Sequence, residues 1–289
     1  MHHDAPRHTR EHAHDIDWDA LCSHLEREAE LHTPALTQAT HWLRDLLGVA
    51  GVRRALDVGS GPGVVASLLA DAFPDAEVVA VDQSPALLER ARTRSAGRIA
   101  TRQVDLPDEF GRLGTADLIW SANAIHHLSD QQAALTALAT SLRPGGLLAV
   151  AERGLPVRFL PRDIGLGRPG LQARLDAGNE NGFTTMRAEL PGVDEVEDWP
   201  AMLARAGLVP TGTRTFLTDL PTPLGLPARE YLHTRLARQR DQFDEYLNDE
   251  DRTTVEALLH ADAPTSILWR PDAFYLTATT VHTARACAA

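Results

Sequence analysis

Between Arg54 and Arg143 short apolar runs alternate with stretches of helical periodicity: ALDVG, VVASLLADAF, EVVAVD, PALLERARTR, IATRQVD, ADLIWSAN and QAALTALATSL. A strand can be buried on both faces in a run that short, whereas the intervening stretches carry apolar residues at helical spacing. Strand, helix, strand repeated in that rhythm predicts a parallel sheet with crossover helices. LLAVAE at Leu147 to Glu152, after a turn RPGG, adds a further strand. The expected fold class is α/β, a doubly wound and mostly parallel sheet with N-terminal helices and helical insertions.

The flanks are less regular. Residues 1–15 are polar and include His2, His3, His8, His12 and His14 without ligand spacing, which reads as a disordered leader and not a metal site. Over 16–50, Trp18, Leu21 and Leu25 fall on one helical face; Thr33-Pro34 then reads as an N-cap with proline at the first helical position. Leu36, Ala39, Leu43, Leu46 and Leu47 form the second stripe. These helices are expected either to cover the site as a lid or to pack on the core. The remaining domain, 51–289, carries insertions at about 153–194 and 221–270, expected to shape a substrate pocket. A helix near Leu171 to Ala177, the helix VEDWPAMLARAG, a strand near Thr211 to Leu217, helices marked by Leu232, Leu236, Phe243 and Leu247 and by Val255, Leu258 and Leu259, and a last strand AFYLTATTV complete the reading.

Composition removes several classes of function. The chain of 289 residues is 43% hydrophobic and 24% charged, ordinary for a globular protein. No run approaches a membrane span and no apolar signal core opens the chain, so a cytoplasmic protein without membrane partners is expected. A net charge of -12 disfavours nucleic acid and leaves a small molecule as the expected partner. Cys22 and Cys287 have neither disulfide nor metal spacing. There is no lysine, which excludes a pyridoxal phosphate Schiff base and a standard Walker A loop.

In an open parallel sheet, ligands bind beyond the carboxyl ends of the strands. The polar residues fall there: Gly59-Ser60-Gly61-Pro62-Gly63 after the first run, Asp82 after the second, Asp105 after the third, Ser121 and Asn123 after the fourth. A dinucleotide-binding loop has the spacing G-x-G-x-x-G. Here Gly59, Gly61 and Gly63 give G-x-G-x-G, with Asp57 just before them. An acidic group in that place disfavours a pyrophosphate and suits a ligand bearing an ammonium. A nicotinamide-dependent oxidoreductase is therefore the less favoured reading.

The motifs ALDVGSGPG, VDQS, VDLP, NAIHHLSD and LRPGG, in that order, closely resemble those of class I S-adenosylmethionine (SAM)-dependent methyltransferases of the small-molecule branch, which have a Rossmann-like fold. The resemblance implies that Asp57, Gly59, Ser60, Gly61 and Gly63 form the SAM loop and that Asp82 grips the ribose. It also implies that Gln83 flanks the adenine, that Asp105 and Leu106 contact its edge and face, and that Ser121 lies near the methionine end. Displacement at a sulfonium carbon needs a base only if the acceptor holds a proton. His127, His126 and Glu152 are the candidates for that base, with His32 behind them. The five tryptophans more readily fill core than wall an acceptor, Trp120 being the open case. The expected activity is methyl transfer to a small acceptor, first to oxygen and otherwise to nitrogen or carbon, in specialised metabolism. A protein that binds SAM without transferring its methyl group is the alternative.

Overall fold

The computed structural model describes residues 18–48, 51–190, 196–243 and 247–288, with side chains described from residue 21 and without that of residue 243. The leader at 1–15 lies outside the described residues. Helices α1 (Trp18–Leu31) and α2 (Thr33–Leu47) come first. Then follow β1 (Arg54–Val58), α3 (Val64–Ala72), β2 (Glu77–Asp82), α4 (Pro85–Arg94), β3 (Ala100–Gln103), β4 (Ala116–Ala122), α5 (Gln131–Thr140) and β5 (Leu142–Arg158). The chain continues through α6 (Leu171–Glu189), α7 (Trp199–Arg205), β6 (Val209–Leu220), α8 (Leu226–Phe243), α9 (Asp249–Leu259) and β7 (Tyr275–Arg285).

The strands form a seven-stranded sheet in the order β3-β2-β1-β4-β5-β7-β6. Pairing is parallel from β3 to β5, and β7 runs antiparallel to both β5 and β6. The order reverses direction between β1 and β4, so the crevice at their carboxyl ends is where a ligand would enter. The central strands are apolar on both faces because helices cover both. Ala55, Val78, Leu118, Trp120 and Leu147 pack with α2 and α3 on one side, whereas Leu56, Val79, Ile119 and Leu148 pack with α5 and α7 on the other. Trp120 is fully buried and belongs to the core. A third core, including Phe159, Leu171, Tyr231, Leu232, Leu236, Val255 and Tyr275, is made by the two insertions and the start of β7.

Several boundaries differ from the sequence expectation: β5 runs past Glu152 to Arg158 because its far half still pairs with β7, and α7 begins only at Trp199, with Asp198 as its N-cap. The N-cap of α2 is His32, not Thr33, because the Thr33 hydroxyl donates back to the Ala29 carbonyl at 3.3 Å and does not cap the new helix. RPGG lies within β5 instead of preceding it: between the pairs Ala116/Leu142 and Leu118/Leu147 the register jumps, and the Gly145 amide and Gly146 carbonyl bond to Ala286 at 3.2 and 2.9 Å. The helix expected near Leu171 to Ala177 continues to Glu189. Helix α2 packs on the sheet core, which leaves α1 as the element reaching from α4 to α8. No helix among the described residues is long and apolar enough to cross a membrane.

Candidate active site

The loop after β1 is held by backbone before any ligand is considered. The amides of Gly59 and Ser60 both donate to the Val81 carbonyl at 2.9 Å, tying the loop to β2. Its glycines serve different ends. A Cβ on Gly63 would stand 2.4 Å from the Ala91 Cβ and 2.9 Å from its Cα, so this residue allows α3 and α4 to close. One on Gly59 would meet the Ala124 Cβ at 2.5 Å, whereas Gly61 (φ +52°) faces open space. Gly61 is therefore the position where backbone itself lines the crevice.

Two carboxylates flank that opening. Asp82 accepts from the Gly61 amide at 2.8 Å through Oδ2 and from the Ser84 amide at 3.0 Å through Oδ1. Each oxygen keeps a lone pair for a further donor such as a ribose hydroxyl. Burial raises its pKa above the ordinary value, against those backbone donors. Asp57 is 2% exposed, and its Oδ2 has no partner. Burial pushes its carboxyl up to about 7, opposed by the Ala66 amide and assisted by the Asp82 charge. The buried Ser60 hydroxyl is likewise unpartnered. Orphaned acceptors around an open, amide-lined loop suit a ligand carrying positive charge and hydroxyls, and SAM has both. In SAM the sulfonium supplies an activated methyl group.

The other expected contacts divide. Leu106 is partly buried against the α5 side of the core, with Asp105 exposed beside it; the Asp105 amide donates to Glu109 Oε2 at 3.0 Å. Gln83 is exposed at the start of α4, and its carbonyl accepts from Gln103. Ser121 is 1% exposed and its hydroxyl donates to the Val58 carbonyl at 2.9 Å, so in this arrangement it locks β4 to β1.

Beyond β4, Asn123 takes a left-handed conformation and a short 3-10 turn, Ile125–His127, carries the two histidines. His126 Nδ1 lies 2.7 Å from Glu152 Oε2, joining two of the candidate groups across adjacent strands. Glu152 is 7% exposed and its Oε1 has no partner. The His126 ring also meets Phe183 edge-on at 5.6 Å. His127 is open on one side, yet the surrounding protein desolvates its ring, and the positive charges of His126, Arg153 and Arg187 push its pKa further down, to about 4. His127 is thus neutral and weakly basic near neutral pH, which leaves His126 the better placed of the pair. His32 sits apart, with Nε2 2.7 Å from the Tyr275 hydroxyl.

Arg153 and Arg187 escaped the sequence reading. Arg187, in the last turn of α6, donates to the carbonyls of His126 and Leu128 at 3.0 and 2.8 Å, fixing the histidine turn. Arg153 follows Glu152 within β5, just past the last pairing with β4, and its place beside the expected strand end was the one signal that could have found it. No carboxylate pairs with Arg153 among the described residues, whereas Arg54, Arg94, Arg98, Arg143, Arg174 and Arg270 each have one.

Comparison with known proteins identifies the family. A family profile described as a methyltransferase domain matches residues 56–148, the segment from the glycine loop to β5. A trans-aconitate 2-methyltransferase of Methylobacterium nodulans is 31% identical over 189 residues, covering 63% of this chain and 67% of that protein. The chain belongs to the class I SAM-dependent methyltransferases. The same-named protein of Methylobacterium radiotolerans is 41% identical over 101 residues, so the match spans only 34% of this methyltransferase and 37% of that relative. A solved structure from Bacillus halodurans, assigned as a methyltransferase, shares the fold at a TM-score of 0.50 and 16% identity, covering 86% of this chain and 98% of its own.

Proposed function

We propose that this methyltransferase moves the methyl group of SAM to an oxygen of a small carboxylic acid. The observation that carries the reading is Arg153, a cation without a carboxylate partner in a chain of net charge -12, beside Glu152 and the histidine turn at the carboxyl end of the sheet. Arg153 is exposed, and a guanidinium with no carboxylate partner is left to take an anionic ligand, which it can hold by two parallel hydrogen bonds. The named substrate of the two Methylobacterium relatives is a polycarboxylic acid, which fits the same chemistry. In this reading Gly59 to Gly61, Asp57 and Asp82 hold SAM, Leu106 and Gln83 border its base, and Arg153 orients the acceptor. A carboxylate is already deprotonated at neutral pH, so alignment and exclusion of water supply the rate.

A second reading is a hydroxyl acceptor. The 2.7 Å contact between Glu152 and His126 favours it, because the carboxylate would hold the ring in one orientation and leave the other ring nitrogen to take the hydroxyl proton. One assay separates the two. Purified protein is given labelled SAM and a panel of small acids, trans-aconitate included, and the labelled product is treated with mild alkali. An ester releases its label as methanol, whereas an ether keeps it. SAM binding with no S-adenosylhomocysteine released over the panel would refute carboxylate methylation and favour a protein that binds SAM without transfer.

A further inference from the structure

Along α8 the residues Tyr231, Arg235 and Gln239 recur every fourth position and so share one face. That face meets α1: His24 stacks on Tyr231 with ring centroids 4.8 Å apart, and the Tyr231 hydroxyl is hydrogen-bonded to Glu28. Gln239 is 4% exposed, and neither its Nε2 nor its Oε1 has a partner. Arg235 Nε and His24 Nδ1 are orphaned with it. Leaving buried polar groups unpaired is costly and uncommon, so a cluster of them calls for an explanation. The same insertion core contains the counter-example. Gln172, equally buried, accepts from the Phe159 and Leu160 amides and donates to the Val157 carbonyl and Asp176. That is how a structural glutamine looks here, and Gln239 does not resemble it.

The cluster borders Tyr275, which lies between it and the strand that carries Glu152 and Arg153. Tyr231 meets Tyr275 edge-on at 5.9 Å, and the charge of Arg153 acts on both Tyr275 and His127. Its chemistry differs from that of Arg153, however. The Arg235 charge is already answered by Glu28, whose carboxyl is held below its ordinary value by Arg235, His32 and Tyr231 against the opposing effect of burial. What is left open is a side-chain amide, offering one donor and one acceptor side by side, with two further ring or guanidinium nitrogens.

We propose that α1 and α8 form a second subsite of the acceptor pocket, in which Gln239, Arg235 and His24 bind an uncharged group bearing both a donor and an acceptor, a primary carboxamide fitting best. Resting on the carboxylic-acid reading above, this makes the acceptor an acid with its charged end at Arg153 and an amide-like end between α1 and α8. Gln239 is then a specificity-determining residue. A site built to hydrogen-bond a polar group rejects analogues that cannot complete the pattern.

The test uses matched pairs of linear diacids and their monoamides, succinate with succinamate and glutarate with glutaramate. Transfer is followed as S-adenosylhomocysteine release from the full chain with SAM. Affinity is measured by calorimetry with S-adenosylhomocysteine present. At least one monoamide should exceed its diacid by about tenfold or more in affinity and kcat/KM. In Gln239→Leu the ratio should fall to about one with SAM affinity unchanged, and the variant should melt no lower than the parent, since it removes an unpaired amide. If the variant fails to fold, His24→Phe, which keeps the stack on Tyr231, takes its place with the same expected loss of preference. A preference that survives the substitution overturns the subsite; so does a lowered melting point with an unchanged ratio, which would mean that ordered water satisfied the amide. Monoamide binding that depends on Gln239 without ester formation supports the subsite and refutes the carboxylate reading. Ester formation with no dependence on Gln239 does the reverse, and no binding by any pair refutes both.

Discussion

Replacing Asp57 by asparagine should stabilise the protein without ligand while weakening its hold on SAM, and pH reveals why. Burial raises the Asp57 carboxyl from 3.8 to about 7 in the folded chain. In the unfolded chain it returns to its ordinary value, so between about pH 4 and pH 7 the folded state binds the extra proton. Stability from this group is therefore fully present below pH 4 and is lost as pH rises through 7. That window, about three pH units wide at roughly 1.4 kcal/mol for each, gives a ceiling of about 4 kcal/mol, reduced by whatever water reaches the site. Asparagine keeps an acceptor for the Ala66 amide and places an NH2 group where Oδ2 has no partner. Urea unfolding of both proteins at pH 4.5, 6 and 8 should show Asp57→Asn drawing ahead of the parent as pH rises, by about 2–4 kcal/mol at pH 8. Asp82, also raised by burial, titrates in both proteins, and comparing the two cancels most of its effect. SAM is cationic and favours the ionised carboxyl, so its affinity for the parent should rise from pH 6 to pH 8 and that of the variant should stay flatter. Parallel stability curves for the two proteins would refute the argument, because the buried charge would then carry no penalty.

Other positions give sharper yes-or-no outcomes. Gly63→Val should cost about 2–4 kcal/mol, read as a lower melting temperature, since its Cβ falls 2.9 Å from the Ala91 backbone and the residue sits at φ +73°; an unchanged melting temperature would mean that α3 and α4 are not closed there. Arg153→Gln should raise KM for an acid acceptor about tenfold or more with SAM affinity intact, and NMR titration should find the His127 pKa moved up from about 4, because one of the cations depressing it is gone. A lower kcat with KM unchanged would speak against an acceptor-binding role. Asp251→Ala should cost about 1–3 kcal/mol by urea unfolding, as the 2% exposed Asp251 accepts from both Arg174 and Arg168 and ties α9 to the start of α6.

What the sequence could reveal depended on whether a residue's role is local. Val58, Val81 and Ile119 announce their strands because a strand covered on both faces must be apolar along its length, and the residue that ends such a run must stand at the ligand-facing edge. Gly59, Asp82 and Glu152 were legible on that ground alone. Partnership between strand ends is not local. His126 and Glu152 are 26 residues apart and meet because β4 and β5 are neighbours in the sheet, a fact about topology that no spacing encodes. The insertions hide their structure for another reason. In α6 the stretch GNENG interrupts the apolar pattern after Leu175 with poor helix formers, so only its first turns could be expected. In α8 the inward face carries Arg235 and Gln239 as well as Leu232 and Leu236, so a reading that equates burial with hydrophobicity takes half of that face for surface. The residues least visible in the sequence are thus the polar ones that the fold buries, and a buried polar group without a structural partner is also where a specific ligand has most to offer. The donor loop could be read because its function follows from backbone shape. The proposed acceptor pocket would draw on side chains from α1, β5, α6 and α8, and their polarity has meaning only once the fold has brought them together.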